Sequence, residues 1–197
     1  MEKRKILLLS ITVLLITAGV FIYLADTDGR SPPNYEAIGV PVEVSDGDTM
    51  TVRIKEITDP HRGITEGRDE IRFAKIDTEE LSLDSARKKH DEVRGMTVAE
   101  YENSTYYQHA VEARELLKSY VEGYKLYIDF DDLAEGEGPQ YEPYRGNYGR
   151  IIAAVYIKEN NKWINLNAVI LREYFPDYVD ITGYSSEFEP RRWLNEK

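Results

Sequence analysis

The chain of 197 residues contains no cysteine. That absence excludes disulfide bridges and thiolate-ligated zinc. Histidine is nearly as scarce: His61, His90 and His109 lie far apart and match no metal-ligand spacing, so each reads as a surface residue. Basic charge is also in short supply, with 25 Lys plus Arg against 36 Asp plus Glu. Residues 1–25 hold three of those basic residues and one of the acidic ones, so the remainder has 22 against 35 and a net charge of −13. A domain of that charge does not attract polyanions through its overall field. Any contact with nucleic acid has to rely on a local basic cluster or on bound cations.

One long apolar run stands out, the twenty uncharged residues from Ile6 to Ala25. As a helix it spans roughly 30 Å, the hydrocarbon thickness of a bilayer. Lys3, Arg4 and Lys5 precede it, and Asp26 and Asp28 follow. This predicts a signal anchor over 1–25 with its N-terminus in the cytoplasm and the rest of the chain outside, at the cell membrane. A cleaved signal peptide and a secreted product is the alternative, with Thr17-Ala18-Gly19 offering the small residues a cleavage site needs. Residues 26–36, rich in Pro, Gly and polar side chains, read as a linker, and 37–197 as one globular domain, expected to be a monomer.

Within that domain, Ala37–Val44, Thr49–Ile57 and Ile71–Ile76 alternate as strands. The period then changes. Ala110, Ala113, Leu116, Leu117, Tyr120 and Val121 form one apolar stripe on a helix from Tyr107 to Glu122, with Gly123 as its C-cap. Strands resume at "YKLYIDF" and "GRIIAAVYI", "NKWINLNAVILREYF" reads as a helix, and "SSEFEPRRWLNEK" as a short terminal one anchored by Trp193. Five strands with a helix between the third and fourth, and helices at the C-terminus, match the order of an OB-fold barrel in an α+β domain dominated by that barrel.

Polar residues cluster at the strand ends. "VSDGDTMTV" carries an Asp-Gly hairpin signal and puts Asp48 at the start of the second strand. Arg72 lies on the third strand, "IDTEEL" puts Asp77, Thr78 and Glu80 where that strand ends, and Arg150 in "NYGRI" opens the fifth. Singly, each has an ordinary explanation as a turn, a cap or a solvated charge. Together, at one rim of a barrel, two carboxylates from different strands with a third nearby suit a hard cation such as Ca²⁺, and two arginines offer bidentate contacts to a phosphate.

In their order and internal spacing, "DGDT", "IRFAKIDTEEL", "YGR" and "NAVILRE" resemble the staphylococcal nuclease (thermonuclease) family over about residues 41–180. The resemblance implies that Asp48, Asp77 and the main-chain carbonyl of Thr78 are Ca²⁺ ligands. It implies that Arg72 and Arg150 grip the scissile phosphate, that Glu80 orients or deprotonates the attacking water, and that Tyr148 touches a neighbouring phosphate. The implied activity is hydrolysis of DNA or RNA to products with 3′-phosphate ends.

Two departures from the family pattern bear on the site. Glu79 stands where the family commonly has Pro, which leaves open which glutamate faces the cation. The loop after Glu80 is long and contains "ARKKHDEVR", the one concentrated basic run in the domain, read either as a substrate clamp or as a solvated helical segment. Tyr141 and Tyr144 stand where bases could stack, and Tyr178 and Tyr184 are candidates for further nucleotide contacts. Two other classes remain open: a catalytically inert nuclease-like OB module used for binding, and a calcium-binding domain without a nucleic-acid substrate.

Overall fold

The computed structural model describes residues 32–60, 63–134, 142–174 and 185–194. The predicted membrane helix of residues 1–25 lies outside them, as do Tyr141, Tyr178 and Tyr184. Among the described residues no helix is long and apolar enough to cross a membrane.

Among the described residues six strands and five α-helices follow in chain order: β1 (Ala37–Asp46), β2 (Thr49–Ile57), β3 (Gly67–Phe73), α1 (Leu83–Lys89), α2 (Val98–Glu102), α3 (Thr105–Val121), β4 (Leu126–Phe130), β5 (Ile151–Glu159), β6 (Lys162–Asn165), α4 (Leu166–Tyr174) and α5 (Pro190–Trp193). β1 pairs antiparallel with β2 and β4, β2 with β3, and β4 with β5. A parallel pairing of β3 with β5 closes the ring β1-β2-β3-β5-β4. This is a closed, mixed five-stranded barrel of OB-like form. β1 has three register irregularities along its length, the usual device by which a strand bends around so small a barrel.

Val52, Ile54, Ile71, Phe73, Leu126, Ile128, Ile151 and Val155 are buried in one continuous core. The first five residues of β5 are all buried, because one face fills the barrel and the other lies under α4. Helix α3 lays Ala110, Ala113, Leu117 and Val121 on the core, and Gly123, at φ 80, follows it as the sequence predicts. Ser104 caps its first turn, its hydroxyl accepting from the Tyr107 amide.

Two elements differ from the sequence reading. The third strand begins earlier and ends at Phe73, since Lys75 takes φ 60 and turns the chain there. Alternation over 71–76 misleads because Ala74 and Ile76 are buried as well. The segment read as one helix from Asn161 is split. Asn160 and Asn161, both at positive φ, make the two-residue turn of a β5–β6 hairpin, and the helix starts only at Leu166. The Asn165 side chain accepts from the Ala168 amide and so marks that start. Next to it Asn167, fully buried, accepts from the Val155 amide and donates to the carbonyls of Ala74 and Ala153, which fixes α4 on β5 and on the turn after β3.

On the other side of the barrel, β4 buries an acid. Asp129 is 9% exposed, and burial pushes its carboxyl up from 3.8 to about 8, with Glu36, Glu187, Asp132 and Asp131 adding to the effect. The unfolded chain loses this proton from about pH 4 upward, whereas the folded chain keeps it until about pH 8. Folding therefore binds an extra proton in that window, and the contribution to stability falls as pH rises, by at most about 1.4 kcal/mol per unit. Asp129→Asn should gain on the parent protein steadily between pH 5 and pH 8 in urea titrations. A stability difference that stays constant over that range would contradict the assignment.

Candidate functional site

The barrel's register brings four separate pieces of chain to one rim. Thr49 at the start of β2 pairs with Arg72 near the end of β3, and Arg72 pairs on its other side with Ile152 of β5. Thr49 and Arg72 therefore lie on adjacent strands, Asp48 and Arg150 stand just ahead of β2 and β5 beside them, and the turn after Phe73 returns Asp77 and Thr78 to the same place. A main-chain bond from the Phe73 amide to the Asp48 carbonyl, 2.8 Å, ties the two strand ends.

Asp48 is 2% exposed. One carboxylate oxygen accepts from the Thr78 amide at 2.7 Å and the Thr78 hydroxyl at 3.1 Å; the other accepts from the Thr49 hydroxyl at 2.9 Å and is ion-paired with Arg72. Four donors saturate the carboxylate, as a charge buried this deeply requires. The Arg72 guanidinium also donates to Asp77 at 2.5 Å, so it bridges the two carboxylates. Arg150 donates to the Thr49 hydroxyl at 3.1 Å, which connects it through Thr49 to Asp48. Its guanidinium lies 5.5 Å from the ring centre of Tyr148, and that ring is 82% exposed at the mouth of the site.

The turn that presents Arg150 is fixed from outside the site. Arg145 grips Asp69 of β3 with two parallel bonds of 3.0 and 2.7 Å and donates to the Gly149 carbonyl at 2.7 Å. Gly149, at φ 74, makes the bend. The sequence reading missed this clamp, since a pair 76 residues apart leaves no local pattern.

The basic run after Glu80 belongs to a folded unit, with Ala86 and Val93 buried and Lys88 and Arg94 exposed. Residues 83–107 form a small module with its own apolar centre of Leu83, Ala86, Val93 and Tyr101, against which Met96, Tyr106 and Tyr107 pack. Three of its side chains reach the site. Tyr101 donates to the main-chain carbonyl of Glu80, and burial, followed by the charges of Glu79 and Glu80, raises its pKa and keeps it a donor. His90 bonds Glu79 at 2.7 Å and stacks near Tyr106, so it is not the isolated surface residue its sequence position suggests. Lys89 places its ammonium 2.5 Å from the Thr78 carbonyl, 2.9 Å from Asp77 and 3.5 Å from Glu80. Glu79 thus turns to His90 while Glu80 faces the Lys89 cluster, which distinguishes the two glutamates.

All seven residues picked from the sequence lie in this region. Asp48, Arg72, Asp77, Thr78, Glu80 and Arg150 join one chain of polar contacts with Lys89 and Thr49, and Tyr148 borders it. Tyr144 instead packs against the core beside Phe130. Among the described residues no three His, Asp or Glu side chains converge as a metal cage. The donor set for a cation is two carboxylates and a main-chain carbonyl, with Glu80 beyond. The Lys89 ammonium rests on the Thr78 carbonyl, Asp77 and Glu80, oxygens of the kind a hard cation selects, whereas a cation on Asp48 would have to displace one of the donors from Thr49, Thr78 or Arg72.

No family model and no curated protein matches the chain. The site therefore has to be read from its own residues.

Gly47 has a different task from the one its Asp-Gly setting suggests. Its φ lies outside the left-handed region, so the turn does not depend on a glycine conformation. What depends on it is space: a Cβ there would sit 2.6 Å from the Ala113 Cβ and 2.8 Å from the Thr78 hydroxyl oxygen. Gly47 lets α3 and Thr78 close down on the turn that carries Asp48. Gly47→Ala should destabilise the protein by about 1–3 kcal/mol through overpacking. Gly95→Ala, in open space, should stay within about 0.5 kcal/mol in the same denaturation experiment. Equal effects of the two substitutions would contradict the packing role.

Proposed function

We propose that the protein is a calcium-dependent nuclease of the thermonuclease type, hydrolysing phosphodiester bonds of DNA or RNA outside the cytoplasm and leaving 3′-phosphate ends. One observation carries this reading. The side chains singled out by the family resemblance come from three segments far apart in the chain, around residues 48, 72–80 and 148–150, and Arg72 touches two of the expected ligands, Asp48 and Asp77.

Asp48, Asp77 and the Thr78 carbonyl would hold the cation, and a bound Ca²⁺ would supply charge neutralisation at the phosphate's non-bridging oxygens. The other roles belong to the chain's own side chains. Arg72 pairs with Thr49 across the β2–β3 ladder and Arg150 donates to the Thr49 hydroxyl, and both present guanidiniums whose planar donor pairs match a phosphate. They are held in place before substrate arrives, by carboxylates in one case and by Thr49 and the Tyr148 ring in the other. Fixed cations of this kind stabilise the extra negative charge of a pentacoordinate phosphate without reorganising during the reaction.

Glu80 is positioned to orient or deprotonate a water for in-line attack, its main chain steadied by Tyr101. Tyr148, exposed at the mouth, is available to a neighbouring nucleotide. In a chain of net charge −13 beyond residue 25, this local cluster is where a polyanion can be received. Residues 1–25 would supply the membrane anchor.

The same ion pairs lend some support to a second reading, an inert nuclease-like OB module used for binding: Arg72 and Lys89 are already engaged with carboxylates. A cleavage assay separates the two. Purified protein with single-stranded DNA should cleave in Ca²⁺ and stop with chelator. Arg150→Ala should lower the rate by roughly 10²- to 10³-fold, the usual effect of removing one transition-state donor, while binding is largely retained. Undiminished cleavage in that variant would refute the assignment, and absence of cleavage in the parent protein would favour the inert module.

A further inference from the structure

Lys89 reaches this site from outside the barrel strands and the turns that join them. It is the last residue of α1, on the module inserted after Glu80. Its neighbours pin it from both sides. Ala86 is buried in the module's centre, Arg87 donates to the Met96 carbonyl at 2.7 Å, and His90 is bonded to Glu79. Lys88, by contrast, is exposed. The ammonium of Lys89 is thus delivered to its position by a folded unit.

That position has a definite chemistry. The Thr78 carbonyl and Asp77 are within 2.9 Å of the nitrogen, and Glu80 is at 3.5 Å. An ammonium beside a main-chain carbonyl and two carboxylates meets the ligand types that a hard divalent cation selects, and its distances to Thr78 and Asp77 are within a few tenths of an ångström of that cation's bonds, with Glu80 farther off. Both cannot bind the same oxygens at once: the separation would be that of a direct contact between like charges, and the Thr78 carbonyl and Asp77 would each have to serve two cations.

We propose that Lys89 is a tethered cation that occupies the divalent ion's position and has to withdraw before the ion binds, so that it sets the site's affinity for the ion. The inference rests on the reading of Asp77 and Thr78 as cation ligands. Without an ion, Lys89 neutralises the acidic rim. With one, the ammonium moves off Thr78 and Asp77 while the module stays attached through Tyr101 and His90.

Calorimetric titration of the full-length protein with CaCl₂ tests this without reference to cleavage. Lys89→Met should bind Ca²⁺ at least about tenfold more tightly than the parent, because a competing charge in direct contact has been removed. Lys88→Met, which loses the same charge one residue away at an exposed position, should stay within about threefold. Lys89→Gln, which keeps a polar side chain of similar length, should follow Lys89→Met and guards against a local collapse caused by the apolar substitution. Equal affinity in the parent and both Lys89 variants overturns the proposal, as does an equal gain in Lys88→Met, which would make it a matter of overall charge. No binding in any of the four proteins would instead reject the cation-site reading itself.

Discussion

Asp48 is a charged side chain with almost no exposure, and the groups that neutralise it come from three separate parts of the chain: Thr49 beside it, Arg72 from β3, and Thr78 from the turn beyond β3. A carboxylate buried without those partners would not remain ionised in the fold. Its presence therefore demands that the β2 start, the β3 end and the following turn sit together. Gly47 makes the room, since any side chain there would meet Thr78 and Ala113. Register, turn and site are one construction, and Arg150 joins it through Thr49.

Around this construction the chain adds a unit the small barrel does not need for closure. The module from Leu83 to Tyr107 has its own apolar centre, and it meets the rim through polar contacts from Tyr101, His90 and Lys89. Such contacts hold a unit in place at modest net free energy per bond, about 1 kcal/mol each, unlike the continuous core that joins α3 and α4 to the barrel. That division gives the site a rigid floor and a more lightly attached wall. It also explains how an acidic chain can present cations where the proposed function needs them: each arginine of the rim is held by a specific partner, so local arrangement substitutes for overall charge.

Much of this was legible in the sequence, for identifiable reasons. Alternation marked β1, β2 and β4, a short apolar run buried on both faces marked β5, and the apolar stripe marked α3. The clustering of Asp48, Arg72, Asp77, Thr78, Glu80 and Arg150 was readable, although they span more than a hundred residues, because strand ends of a closed barrel converge and each stands at such an end. What could not be read was long-range or hidden by local pattern. β3 extends back into the polar stretch beginning at Gly67, which lacks the apolar face that signals a strand. β6 was absorbed into a helix because four residues are too few to set a period. The basic run was noticed, but it does not say which lysine points inward. That follows only from how α1 packs, with Ala86 down and Lys89 one turn on toward Thr78. The Arg145–Asp69 clamp left no trace in sequence spacing at all.

The account's central claim is that Asp48, Asp77 and the Thr78 carbonyl form a cation site from which Lys89 must withdraw. The most direct measurement is a crystal structure of the protein grown with Ca²⁺ and a phosphorothioate dinucleotide that resists cleavage. The account predicts one Ca²⁺ about 2.3–2.6 Å from oxygens of Asp48, Asp77 and Thr78, with the Lys89 ammonium moved away from Asp77 and Thr78, and Arg72 turned from Asp48 to the phosphate it shares with Arg150. Calcium bound elsewhere, or bound here with Lys89 still donating to the Thr78 carbonyl, would contradict it.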